Sequence, residues 1–234
     1  MILPQQFRAK LSDKTIINPQ YSQYFFELLQ PSRMEFLSGQ YISLALPEGG
    51  QRRSYSLCSS PEKDHGFELL IDSKPNGLGI QYLNSLQFGD EISFLSPLGL
   101  FTLGNETEPI SMIATGSGIA PFRSMILDLL QIKKSTQDIT LYWGQRFVDD
   151  LFWEEELEEL CEDFAIFHFH PVISKAPVAW PLCQGRVTDC LRTHQIHEKA
   201  HFYICGSDTM ITDVMHELQT HGISKHQVHR EKFF

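Results

Sequence analysis

The sequence predicts two domains of different class: an antiparallel β-barrel over residues 1–104 and an α/β domain with a parallel sheet over residues 105–234. Three observations predict this. The chain has 234 residues, enough for two cores of roughly 100–130 residues each. Apolar residues repeat with period two up to about residue 104. Beyond about residue 108, short apolar runs alternate with helical spacing.

In the first half, Ile42, Leu44 and Leu46 alternate with polar or small residues, as do Phe67, Leu69 and Ile71. Pro47–Gly50, Pro75-Asn76-Gly77 and Gly89-Asp90 separate such runs as turns, the texture of a barrel or sandwich. In the second half, Ile110–Ala114 reads as a strand ending in Gly116-Ser117-Gly118. Phe122, Met125, Ile126, Leu129 and Leu130 follow at helical spacing, with Pro121 in the first turn, where its missing N–H costs nothing. Ile139–Trp143, Phe164–Val172 and His201–Cys205 read as further strands. Leu151–Leu160 and the Ile211/Val214/Met215/Leu218 stripe read as helices. Strands alternating with helices imply a parallel sheet.

Composition excludes several classes. Hydrophobic content of 42% and charged content of 21% are ordinary for a soluble globular protein. No run approaches the ~18 apolar residues of a membrane span, and the N-terminus has no signal-peptide pattern. The net charge of −10 disfavours nucleic acid as a partner. Seven of the ten residues from Glu154 to Asp163 are acidic, which reads as a solvated helix face. The five scattered cysteines contain no CxxC pair, so neither a disulfide framework nor a zinc site is expected, and a reducing cytoplasm is the simplest compartment. Among the ten histidines, His168, His170, His226 and His229 sit in pairs, but no acid or cysteine completes a ligand set at a familiar spacing; no metal site is expected.

Two segments carry chemistry. In Arg52-Arg53-Ser54-Tyr55-Ser56, Arg53 and Tyr55 share one face of a strand. The arginine suits a phosphate, the tyrosine ring a flat heterocycle, and the serine hydroxyl a ring nitrogen. Gly116-Ser117-Gly118-Ile119-Ala120-Pro121 joins a strand to a helix, where free N–H groups and the positive dipole end favour a phosphate. Either alone also suits an ordinary strand or turn.

Together with five further pieces in the same order, these segments resemble the ferredoxin–NADP reductase superfamily over nearly the whole chain. Arg53–Ser56 resembles its RxYS flavin motif, and Gly77–Leu83 before Phe88-Gly89-Asp90 its flavin-phosphate loop. Ser96–Phe101 resembles GPxGxF, Gly116–Pro121 GTGxAP, and Tyr142–Arg146 the strand end near adenosine. Cys205–Met210 resembles CGxxxM, and Glu231–Phe234 the acid-plus-aromatic tail. The resemblance implies an NAD(P)H-dependent flavin oxidoreductase. It implies a flavin held by Arg53, Ser54, Tyr55, Ser56, Gly77, Leu78 and Gly79, with Phe233 or Phe234 over its face. It implies nicotinamide nucleotide along Thr115, Gly116, Gly118, Pro121, Gly206 and Met210, and hydride transfer near Ser56, Cys205 and Glu231.

Three departures from the family pattern qualify these expectations. Ile80 stands where the family carries a hydroxyl, so FMN stays beside FAD as the flavin. No iron–sulfur cysteine spacing is present. Gly144-Gln145-Arg146 replaces an acid at the second strand end. Arg146 suits a 2′-phosphate, a weak lean to NADPH, while Asp149 or Asp150 suits a 2′-hydroxyl. The expected acceptor is a redox protein such as ferredoxin, flavodoxin or an oxygenase component. Release of reduced free flavin is the alternative, because Asp138–Gly144 resembles the strand of free-flavin reductases. A non-catalytic nucleotide-binding regulatory subunit is the third reading.

Overall fold

The computed structural model describes residues 3–233 except 48, 106 and 195. It divides into two compact units, residues 3–103 with 120–134, and residues 104–119 with 135–233. The helix after Pro121 thus groups with the first unit. Phe234 lies outside the described residues.

The first unit carries strands β1 (Gln5–Ile16), β2 (Tyr21–Gln30), β3 (Tyr41–Ala45), β4 (Arg52–Ser56), β5 (Gly66–Asp72) and β6 (Glu91–Leu98), in sheet order β4-β3-β6-β1-β2-β5. The pairings among these strands are antiparallel. An antiparallel bridge from Leu57 to Leu69 joins the two edge strands and closes the sheet into a barrel. Its core is aromatic-rich: Phe67 sits 5.2 Å from Phe26 and 5.0 Å from Phe94, centroid to centroid. The period-two reading holds for β3, which alternates inward and outward. In β5 both faces are buried, because Glu68 and Leu70 are covered as well as Phe67, Leu69 and Ile71. Of residues 77–83, expected as a loop, all but the capping Gly77 belong to a helix, α1 (Leu78–Ser85). Ile80 and Leu83 pack toward the barrel core, and that burial favours helix where the glycines alone read as loop. Helix α2 (Ala120–Leu127) continues into a wider π turn over Asp128–Ile132.

The second unit is a six-stranded parallel sheet. It contains β7 (Ile110–Thr115), β8 (Ile139–Gln145), β9 (Phe167–Ile173), β10 (Cys183–Gln184), β11 (His201–Gly206) and β12 (Val228–Lys232), ordered β10-β9-β8-β7-β11-β12. Helices α3 (Glu154–Asp163), α4 (Val187–Thr193) and α5 (Asp208–Thr220) connect them. Helix α3 starts three residues after the predicted Leu151, because Trp153 adopts a left-handed φ of 56° and packs its ring against Phe152. The acidic run forms this helix, with only Leu157 and Leu160 buried. One expectation is overturned: Cys183 and Cys190 form a disulfide, their Cα atoms 5.6 Å apart. They stand seven positions apart in sequence, and the pairing arises because β10 lies against α4. Among the described residues no helix is long and apolar enough to cross a membrane.

Candidate functional site

In the barrel unit, the fold brings two predicted segments together. Strand β4 presents Arg53 and Ser54 exposed, Tyr55 half-buried and Ser56 buried. Helix α1 begins directly against them. A Cβ on Gly79 would lie 2.8 Å from Arg53 Cγ and closer still to Tyr55 Oη. A larger residue there would have to push the Tyr55 and Arg53 side chains aside. Burial pushes the Tyr55 hydroxyl up to about 12, against the opposing pull of Arg53. The ring therefore stays neutral as an apolar surface with a hydrogen-bonding tip. Gly77 caps α1 without a side-chain hydrogen bond. The first-turn N–H groups of Leu78, Gly79 and Ile80 are of the kind that can donate to an anion, while the exposed Arg53 guanidinium donates to the Arg52 carbonyl at 2.8 Å and to Gln51 Oε1 at 2.9 Å. Ile80 lacks a hydroxyl but packs on the core, so these donors are backbone ones. The arrangement fits a phosphate beside a flat ring.

In the α/β unit, Thr115 ends β7, and a 3₁₀ turn spans Gly116–Ile119; Ala120 and Pro121, next in sequence, open α2 and group with the first unit. Gly118 presses on the neighbouring strand end: a Cβ there would lie 2.7 Å from the Cys205 carbonyl carbon and 3.1 Å from Gly206 Cα. The indole of Trp143 donates to the Gly116 carbonyl at 3.0 Å, fixing the turn from the β8 side. Met210 packs by its methyl against Gly206. Thr115, Gly116, Gly118, Gly206 and Met210 are thereby gathered at the carboxyl ends of β7 and β11. Ligands bind at this position in open α/β sheets.

Cys205 is fully buried and paired in register with Glu231 on β12. Burial, then the charge of Glu231, pushes its thiol well above the ordinary range. It remains a thiol at neutral pH and is no nucleophile. Phe233 is half-buried and anchored by its N–H to the Gly206 carbonyl at 2.9 Å. Arg146 is exposed after β8; its carbonyl accepts from Lys175 N–H at 2.9 Å, and its guanidinium lies 5.5 Å from the Phe147 ring centre. Asp150 is engaged locally, its carboxylate accepting from Phe147 N–H at 3.1 Å.

Two clusters escaped the sequence reading. On β5, buried Glu68 accepts from Lys63 at 2.6 Å, Arg123 at 2.9 Å and Gln23 at 3.0 Å. Burial pushes its carboxyl up, but the Lys63 and Arg123 contacts outweigh this and hold it below the usual range. On the edge of the parallel sheet, Cys183, Cys190 and His194 place their ligand-type atoms within 4.8 Å of one another. Their linear spacing matches no familiar motif.

Comparison with known proteins identifies two domain families. The oxidoreductase FAD-binding domain family matches residues 8–103, and the oxidoreductase NAD-binding domain family matches residues 112–216. The anthranilate 1,2-dioxygenase electron transfer component of Acinetobacter baylyi is 32% identical over 86% of this chain, which spans 59% of that relative's length. Ferredoxin–NADP reductase B of Sorangium cellulosum is 27% identical over the full length of both chains. The solved structure of Amycolatopsis cytochrome P450 reductase GcoB superposes with a TM-score of 0.89 at 26% identity, over 98% of this chain and 70% of that one. A ferredoxin NADP+ reductase from Neisseria gonorrhoeae with bound FAD and NADP superposes with a TM-score of 0.82 at 23% identity over 99% of each chain. With an FAD-binding barrel followed by an NAD-binding α/β domain, the chain belongs to the ferredoxin–NADP reductase superfamily of NAD(P)H-dependent oxidoreductases.

Proposed function

We propose that the chain oxidises NAD(P)H through FAD and delivers the electrons to a protein acceptor, a ferredoxin, a flavodoxin or an oxygenase component. The observation that carries this reading is the contact of Gly79 with Arg53 and Tyr55, a cradle shaped for a phosphate beside a flat ring. Electron-transfer and reductase components of oxygenases among the relatives support the class of acceptor.

The residues divide the work. Arg53 and the first-turn N–H groups at Leu78 and Gly79 hold the flavin phosphates. Tyr55 and Phe233 offer ring faces, and Ser54 and Ser56 polar contacts. Thr115, Gly116, Gly118, Pro121, Gly206 and Met210 line the nicotinamide nucleotide, and Arg146 takes a 2′-phosphate. Cys205 contributes a neutral, desolvated thiol and Glu231 a carboxylate. A flavin held there would supply hydride acceptance from the nicotinamide and one-electron delivery to the acceptor. The protein's part is orientation, charge placement and water exclusion, which needs no strong acid or base.

The test is the purified protein's spectrum followed by turnover. Flavin that survives gel filtration, identified as FAD by mass, with NADPH-driven reduction of a ferredoxin, supports the proposal. A colourless protein that reduces added free flavin favours the flavin-release reading, which the Asp138–Gly144 strand resembles. No NAD(P)H oxidation with any acceptor leaves the regulatory-subunit reading.

A further inference from the structure

At the β10 edge of the parallel sheet, a cavity of about 570 Å³ is bounded by β9, β10 and α4. Cys183, Cys190, His194 and His170 all line it. The His170 and His194 rings are 4.4 Å apart between centroids, and Cys190 Sγ is 3.6 Å from His194 Nδ1. A tetrahedral zinc ion with ordinary bond lengths separates a thiolate sulfur from an imidazole nitrogen by about 3.5 Å. The cysteine–histidine pair is already spaced as two corners of that tetrahedron. Oxidation closes the other edge, joining Cys183 to Cys190.

We propose that Cys183, Cys190 and His194 form a redox-gated site for a zinc-class divalent cation, closed as a disulfide and opened as two thiolates and an imidazole. His170 or a water completes the tetrahedron. The chemistry balances. A dithiol supplies two electrons and two protons and becomes a disulfide, or a phosphine supplies two electrons and becomes a phosphine oxide with one water giving the oxygen and both protons; either way the S–S bond breaks to two thiols. The cation then forms two metal–sulfur bonds, and both thiol protons pass to solvent. In the closed form His194 Nδ1–H donates to the Cys190 carbonyl at 2.9 Å. When Nδ1 takes the metal, that proton resides on Nε2.

The site lies within one unit and needs neither flavin nor nucleotide, so its test is independent of the proposed activity. The full chain is reduced anaerobically with a phosphine, freed of it, and titrated with Co²⁺. One equivalent should bind with thiolate-to-cobalt charge-transfer absorbance, and Zn²⁺ should displace it. The unreduced protein should show no such band. Cys183→Ser and Cys190→Ser should abolish the band, His194→Ala should weaken binding by at least about tenfold, and Cys161→Ser should leave it intact. A reduced wild-type protein without the band overturns the proposal. So does a band that persists in folded Cys183→Ser and Cys190→Ser proteins, with folding checked by circular dichroism.

Discussion

Two glycines, one in each unit, do the same job against different walls. Gly79 in the barrel unit faces the side chains of Arg53 and Tyr55, whereas Gly118 in the α/β unit faces the backbone of Cys205 and Gly206. A side chain gives way by rotating; a strand in mid-sheet does not. The barrel cradle is therefore adjustable and the Gly116–Pro121 turn rigid. The barrel unit also holds a buried carboxylate, Glu68, paired with Lys63 and Arg123.

The largest expected effect therefore falls on Glu68. Glu68→Gln leaves Arg123 and Lys63 without their carboxylate and should cost about 3 kcal/mol in urea unfolding. The carboxyl is held below its usual range in the folded protein. Its stabilisation is thus present above the unfolded pKa of about 4.3 and is lost as pH falls through the folded value. The wild type should lose stability over that acid range more steeply than Glu68→Gln, and equal pH slopes would remove the cluster from the account.

The glycine contrast comes next. Gly118→Ala should destabilise by about 1–3 kcal/mol, with KM for the nucleotide raised at least about tenfold. Gly79→Ala should cost less than about 1 kcal/mol in folding while weakening flavin retention on gel filtration. Equal unfolding costs for the two variants would break the comparison. The effect at Arg146 is confined to one nucleotide. Arg146→Ala should lower kcat/KM for NADPH about tenfold, roughly 1.4 kcal/mol, and leave NADH unchanged. A strong NADH preference in the wild type would remove Arg146 from nucleotide selection.

Legibility followed the range of the interactions. The Gly116–Pro121 turn and the Arg53–Ser56 strand were readable because each is a local pattern set by chain geometry. The change from an antiparallel to a parallel sheet was readable from the change of hydrophobic period. Helix α1 was not, because its stability comes from Ile80 and Leu83 packing on a distant core rather than from its glycine-rich start. Glu68 was hidden inside an alternating strand, where its partners Gln23 and Arg123 lie 45 and 55 residues away. The Cys183–Cys190 pair was hidden because only the edge strand β10, two residues long, brings the sulfurs to α4.

The most direct measurement of the central claim is anaerobic mixing of the purified, FAD-loaded chain with NADPH or NADH, followed at the flavin absorbance band. The account predicts that FAD stays bound through gel filtration and bleaches on mixing, and that Arg53→Ala retains less of it. A protein that binds no FAD, or one whose bound FAD is bleached by neither nucleotide, would contradict it.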